Sequence, residues 1–360
     1  MIQSKRFQRL SWAVSGVVTL LMLSNAESAP FENLYTITVP RGFGDELRSD
    51  EEYVPLAMGQ LLARVTGRTG AFLEPNLQNL ISNANDYVIE KGWPNLEGYR
   101  VTFDDRAILT SLSQRNEPIW VEERPLTLLW IAVDTVFDER GVLAADPQNQ
   151  SHSEDYLAIA DEIKTQLEGV AYARGLPIKF PLWDLQDMES LGFFDVWEGI
   201  SHRLEQSSER YEIDAILNGR VWMTSRGLDV QWTLMRGPDR FILPGGSLQS
   251  GLDKLADLYA GEFSSSGSPT ASKITVMGLK NIEDYAHVMR YIENLQERHI
   301  LESVDIEEFA ETTLSLSMMA RGGPELLERV LGLSGVLTPA ASISDNYLET
   351  QLSFFYLDSH

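Results

Sequence analysis

Residues 124–134 read Arg-Pro-Leu-Thr-Leu-Leu-Trp-Ile-Ala-Val-Asp, an almost unbroken apolar run where a surface strand would alternate. A strand covered on both faces of a sheet has this pattern, so the stretch predicts a central strand. Before it, residues 34–39 form a β-rich run stopped by Pro40. Ser49 and Glu52 have capping-box spacing, and Val54, Met58, Leu61, Leu62 and Val65 then recur at helical spacing up to Gly67. Pro55 falls inside that stripe, which blurs where the helix starts. Leu77, Leu80, Ile81 and Ala84 predict a second helix over 75–89, residues 99–103 a strand, and Asp104 the cap of a helix carrying Ile108 and Leu112. The order is βααβα, leading into the central strand.

After Asp134 the segment 138–153 is polar and holds Gly141 and Pro147, which predicts an exposed loop. Ser151 and Glu154 have capping-box spacing ahead of a long stripe of Tyr156, Ile159, Ala160, Ile163, Leu167, Val170 and Ala171, stopped at Gly175. Residues 176–180 predict a short strand and 183–206 one or two helices. Two alternating runs meet at Ser225-Arg226-Gly227, the signature of a β-hairpin. A turn at 243–247 leads into a helix of Leu248, Leu252, Leu255 and Leu258. The serine-rich residues 264–271 predict a linker, and beyond them the order βαββαβ is the split-βαβ, ferredoxin-like plan.

The expected fold is therefore a layered α/β domain with a mixed sheet over 30–263, divisible at 120/121, followed by a small ferredoxin-like domain over 272–360.

The N-terminus changes the picture of where this fold resides. Lys5, Arg6 and Arg9 precede an apolar stretch at 12–23, and Ser24-Asn25-Ala26 offers small residues to a signal peptidase. We expect a cleaved signal peptide, ending at Ala26 or Ala29, since the apolar run is shorter than the roughly 20 residues a spanning helix needs. The mature chain would then be exported, with no transmembrane segment of its own. The formal net charge of −24 becomes more negative once that basic leader is gone, which disfavours nucleic acid and anionic lipid as partners. With no cysteine there is no disulfide framework and no thiolate metal site.

Four stretches together resemble a known family: residues 34–39, the helix end Leu61-Leu-Ala-Arg-Val-Thr-Gly67, residues 124–133, and Gly175-Leu-Pro-Ile-Lys-Phe-Pro-Leu-Trp-Asp-Leu185. They look like an uncharacterised proteobacterial envelope family known as domain of unknown function two-zero-six-six. The resemblance implies a signal-bearing periplasmic protein and carries over no catalytic residues.

Candidate chemistry is sparse. Asp184 and Asp187 could share a helix face and bind a cation or do acid/base work, and they follow a short strand, where α/β proteins place ligands. The plainer reading makes Asp184 an N-cap and Asp187 a first-turn acid. Trp222 and Trp232 on the hairpin, with Arg220, could form a binding surface or pack across strands. The histidines show no metal spacing, so no metal is expected; no cofactor loop, nucleophile elbow or calcium loop is present, and Gly245-Gly246-Ser247 reads as a turn and cap.

These observations lead us to expect a non-enzymatic binding or scaffold protein whose partner is an envelope protein or peptidoglycan. The alternative is a periplasmic hydrolase or small-ligand-binding enzyme using carboxylates at strand ends, Asp184 and Asp134 among them. It requires a concave site holding acids with raised pKa values.

Overall fold

A computed structural model describes residues 34–41, 49–94, 98–120, 123–135, 139–147, 151–225, 227–267, 269–297, 300–333, 335–340 and 351–357. The expected signal peptide, the loop at 42–48, Arg226, His299 and His360 lie outside these residues. The fold is mixed α/β, as expected.

An N-terminal unit holds β1 (Thr36–Pro40), α1 (Asp50–Thr66), a short α2 (Gln78–Ser82), β2 (Val88–Gly92), β3 (Gly98–Phe103) and α3 (Asp105–Gln114). Its sheet is antiparallel in the order β1-β3-β2. The helix expected over 75–89 is thus cut to one turn and β2 follows it. Leu77, Leu80 and Ala84 are still buried, but Asn83, Asn85 and Asp86 are poor helix formers and break the run. Glu52 accepts from the Ser49 backbone N–H at 2.8 Å, and Asp104 caps α3 by accepting from Ala107 at 2.9 Å.

The middle region contains β4 (Ile119–Trp120), β5 (Thr127–Asp134), β6 (Arg140–Val142), α4 (Glu154–Arg174), β7 (Ile178–Lys179), α5 (Leu185–Ser190), α6 (Phe193–Trp197) and α7 (Ser201–Ser208). Then come β8 (Ala215–Thr224), β9 (Gly227–Arg236), β10 (Asp239–Leu243), α8 (Leu248–Phe263) and β11 (Ser264–Ser265). The sheet order is β10-β9-β8-β5-β6, with β8 parallel to β5 and the short β7 also on β5.

β5 is the central strand because its side chains feed two cores. Leu129, Ile131 and Val133 pack with α4 and α8 on one face, whereas Leu128, Trp130 and Ala132 pack with α6 and α7 on the other. The cap of α4 is Ser153, not Ser151: its hydroxyl accepts from Tyr156 N at 3.2 Å, and Glu139 accepts from its backbone N–H at 2.9 Å.

The C-terminal module comprises β12 (Thr270–Met277), α9 (Ile282–Glu297), β13 (Leu301–Ala310), β14 (Thr313–Ala320), α10 (Gly323–Gly332), β15 (Leu337–Pro339) and β16 (Gln351–Tyr356). Its sheet order is β13-β14-β12-β16-β15. β12, β13, β14 and β15 have the directions of the four strands of the split-βαβ plan, and β16 is inserted between β12 and β15, parallel to β12 and antiparallel to β15. The start of the serine run is itself a strand, since Ser264 and Ser265 pair with Trp120 and Ile119.

Three buried arginines hold the units together. Arg124 donates to the carbonyls of Arg64 at 3.0 Å and Trp120 at 3.2 Å, and to those of Arg174 at 3.2 Å and Gly175 at 2.8 Å. Its guanidinium lies 3.9 Å from the Trp120 ring centroid. It thus satisfies carbonyls at the ends of both α1 and α4, where the helix dipoles favour a cation. Arg64 donates to Leu34 and Thr36 of the N-terminal strand segment, and burial lowers its pKa. Arg174 donates to the Gly67 carbonyl at 2.9 Å and pairs with Asp253 and Asp257 of α8. Gly175 has φ +66°, and a Cβ there would lie 2.3 Å from Arg124 Nη1, so the turn that stops α4 also makes room for the guanidinium. This junction fixes α1, α4 and α8 relative to one another.

Candidate functional site

Asp184 and Asp187 do come together, but around an arginine. Asp184 is the N-cap of α5, accepting from Asp187 N at 3.1 Å, and its two oxygens take Arg210 at 2.8 and 2.9 Å. Arg210 holds its carboxyl down at about 2. Asp187 is buried and accepts from Trp183 N at 2.8 Å, from the Tyr211 hydroxyl and from Arg210 at 3.3 Å. Trp183 has φ +53° and its ring meets Trp130 edge-on, 6.2 Å between centroids. The acids therefore lock α5 to the sheet face through Arg210 and Tyr211, the capping role their positions suggested.

A polar cavity of about 520 Å³ lies beside them, where Asp187 and Arg210 meet His202 and Arg203. Arg203 is paired with Asp195 at 2.8 Å. A carboxylate held near pH 2 stays ionised at neutral pH and cannot donate a proton there. Asp134 is engaged elsewhere, by Arg140 at 2.9 Å.

The raised carboxyl is Asp214, at the opposite end of the parallel strands. It accepts from Leu126 N at 2.7 Å, and burial pushes it up to about 6. Because its folded pKa exceeds the unfolded value of about 3.9, its stabilising contribution is present below about pH 4 and lost as pH rises toward 6. Asp214→Asn keeps the acceptor for Leu126. It should flatten stability across that window and leave the variant on the order of 2 kcal/mol more stable than the parent at pH 7, read by urea melts at several pH values.

The hairpin residues separate. Arg220 and Trp222 share a face with Trp197: the Arg220 guanidinium is 6.0 Å from the Trp197 ring and donates to Gln231 at 2.6 Å, and Trp222 meets Trp197 at 6.3 Å. Trp232 is on the other face, fully buried, donating to the Ser247 carbonyl at 3.1 Å. The three do not form one surface. Ser247 caps α8 by accepting from Ser250, so Gly245-Gly246-Ser247 is a turn and cap. Among the described residues no group of His, Asp and Glu could hold a metal ion.

The site that the sequence did not reveal is an apolar groove of about 1080 Å³ between α1, the 71–81 segment, α4 and the start of α8. Leu56, Phe72 and Leu73 project into it and are 42%, 43% and 70% exposed. Gly59 and Ala63 of α1 and Gly169 and Ala173 of α4 line it with small side chains. Its charged residues are Glu52, Asp253 and Arg174, the last enclosed and paired with α8. An exposed apolar trough on a surface this acidic is the feature most suited to contact with another molecule.

A family model described as Domain of unknown function (DUF8605) matches residues 29–121. No curated protein and no solved structure matches the chain.

The match covers the N-terminal unit and corrects the resemblance drawn from the sequence. Residues 34–39 and 61–67, which carried part of it, lie inside the stretch that matches DUF8605, not two-zero-six-six. Both runs are structural, a strand and a helix end closed by a glycine with φ +69°, and such runs recur in unrelated chains. The envelope setting loses the support of that resemblance, and the expectation of export rests on the leader residues. Within the DUF8605 stretch lie Leu56, Gly59, Phe72 and Leu73, so one wall of the groove belongs to the matched unit.

Proposed function

We propose that this chain is an exported, periplasmic binding or scaffold protein of the cell envelope that holds a partner protein in the groove between α1, α4 and α8. The observation that carries this reading is the groove itself: exposed Leu56, Phe72 and Leu73 over a floor of small residues, uncharged between its ends. Apolar walls favour a protein over peptidoglycan, whose glycan and peptide groups are polar and would lose hydrogen bonds to water there. The carboxylate reading finds less support, because Arg210 keeps Asp184 ionised and Asp134 pairs with Arg140.

Fractionation of the host cell followed by crosslinking of the mature protein in place, with mass spectrometry of the adducts, tests the proposal. One recurrent envelope protein joined through residues of α1 or the 71–81 segment is the expected result. Retention of the chain in the cytoplasm, or adducts confined to other surfaces, would overturn it.

A further inference from the structure

We infer that the occupant of the groove is an amphipathic helix with an apolar face and basic residues at both ends, an inference that rests on the binding reading above. Three features lead to this chemistry.

The first is shape. From Glu52 to Ala63 the α1 wall runs about three turns, roughly 16 Å at the helical rise. Gly169 and Ala173 are spaced i, i+4 on the α4 wall, with open space in front of Gly169, so a guest helix can approach that wall closely, whereas Gly59 of α1 seats Phe72.

The second is chemistry along the length. Between the ends the lining is apolar or neutral, with Gln60, Gln78, Gln166 and Gln249 among its polar groups. A guest with apolar residues at i, i+4 and i+7 would bury them on Leu56, Phe72, Leu73 and Ile81, the mode by which grooves take helices.

The third is charge. Glu52 stands at the amino end of the α1 wall, whereas Asp253 lines the α8 side, with Asp257 one turn further along α8. Among the described residues that line the groove, Arg174 is the one cation. Its side chain is only 4% exposed, with its N–H groups on Asp253, Asp257 and the Gly67 carbonyl, so it offers little positive charge to a guest. Asp253 and Asp257 together exceed the single charge of Arg174, so the α8 side keeps a net negative charge. With Glu52 at the amino end of the α1 wall and a chain of net charge −24, the groove favours lysine or arginine flanks over acidic ones.

Gly169 supplies the test variant. A Cβ there would meet nothing within 4 Å, so the side chain of Gly169→Leu starts into open space on the trough wall, and replacing a mid-helix glycine favours α4. The probes are two labelled synthetic helical peptides with the same leucine face, one flanked by lysines and one by glutamates, titrated into the mature full chain by fluorescence anisotropy. We expect the lysine-flanked peptide to bind at least tenfold more tightly, with a margin that shrinks in salt. Gly169→Leu should weaken it at least tenfold with an unchanged or higher melting temperature.

Equal binding of the two peptides, both lost in Gly169→Leu, would overturn the basic-flank inference and leave the binding reading standing. Binding that Gly169→Leu does not alter, or no binding by either peptide, would overturn the helix-in-groove inference, whereas the crosslinking experiment judges the binding reading separately. Self-association of the chain that Gly169→Leu abolishes would make a second copy the occupant and overturn it as well.

Discussion

Arg124→Ala is expected to destabilise the protein by about 3–5 kcal/mol, since a buried acceptor left without its donor costs about 1–3 kcal/mol and several are left at once. The loss has a definite origin. Four carbonyls, those of Arg64, Trp120, Arg174 and Gly175, accept from this one guanidinium, and with it gone they face a dry interior with no donor. The first two belong to the N-terminal side of the junction and the last two to the end of α4. The variant should therefore part these units before the central sheet melts, giving early hydrogen exchange at the end of α1. Arg124→Lys should recover less than half of the loss, because an ammonium cannot present a planar fork to carbonyls on two sides. Urea melts read the total, and amide exchange by mass spectrometry reads its location. Uniform loss of protection across β5 and β8 would argue against a junction role.

Trp232→Ala is expected to cost about 3–5 kcal/mol, as for other large-to-small changes of a buried aromatic. The ring is fully enclosed between β9 and α8, in a space that two glycines leave for it. A Cβ on Gly219 would come within 2.5 Å of the ring and one on Gly251 within 2.4 Å. Two walls of the void are glycine backbone, which has no side chain to relax into it. Trp222→Ala, on the opposite and partly exposed face, should cost distinctly less. Equal losses from the two changes, measured by thermal melts, would contradict the placement of the hairpin tryptophans on different faces.

That division shows what the sequence could express. β5 was legible because both of its faces are buried, which writes an uninterrupted apolar run. The hairpin was legible from alternation plus Gly227, but alternation alone did not say which face each tryptophan would take relative to the covering helices. β2 and β10 were not legible. Their residues are mostly exposed, and backbone pairing with β3 and β9 holds them, leaving no apolar period to read. In the C-terminal module, Leu314, Leu316 and Met318 announced β14, whereas the direction of β16 is a long-range property that no local pattern records.

The sites divide in the same way. Asp184 was readable as a helix cap from its position, but Arg210 and Tyr211, which fix what the acid can do, lie more than twenty residues on. Arg64 and Arg124 look like ordinary surface residues in sequence because the acceptors that hold them are backbone carbonyls, and the acids that pair with Arg174 lie on a helix far along the chain. The groove is assembled from residues off the core stripes of separate elements. Its one local sign was a glycine within each of two otherwise strong helical patterns, Gly59 and Gly169, where alanine would favour the helix.

The most direct measurement is photo-crosslinking in the living cell from a reactive group placed at Leu73, in the groove, compared with one at Ile242, equally exposed and apolar but on the edge strand β10. One discrete adduct is expected from Leu73, absent from Ile242 and abolished when Gly169→Leu is added. The same adducts from both positions, or an adduct from Leu73 that Gly169→Leu leaves unchanged, would contradict a partner held in the groove.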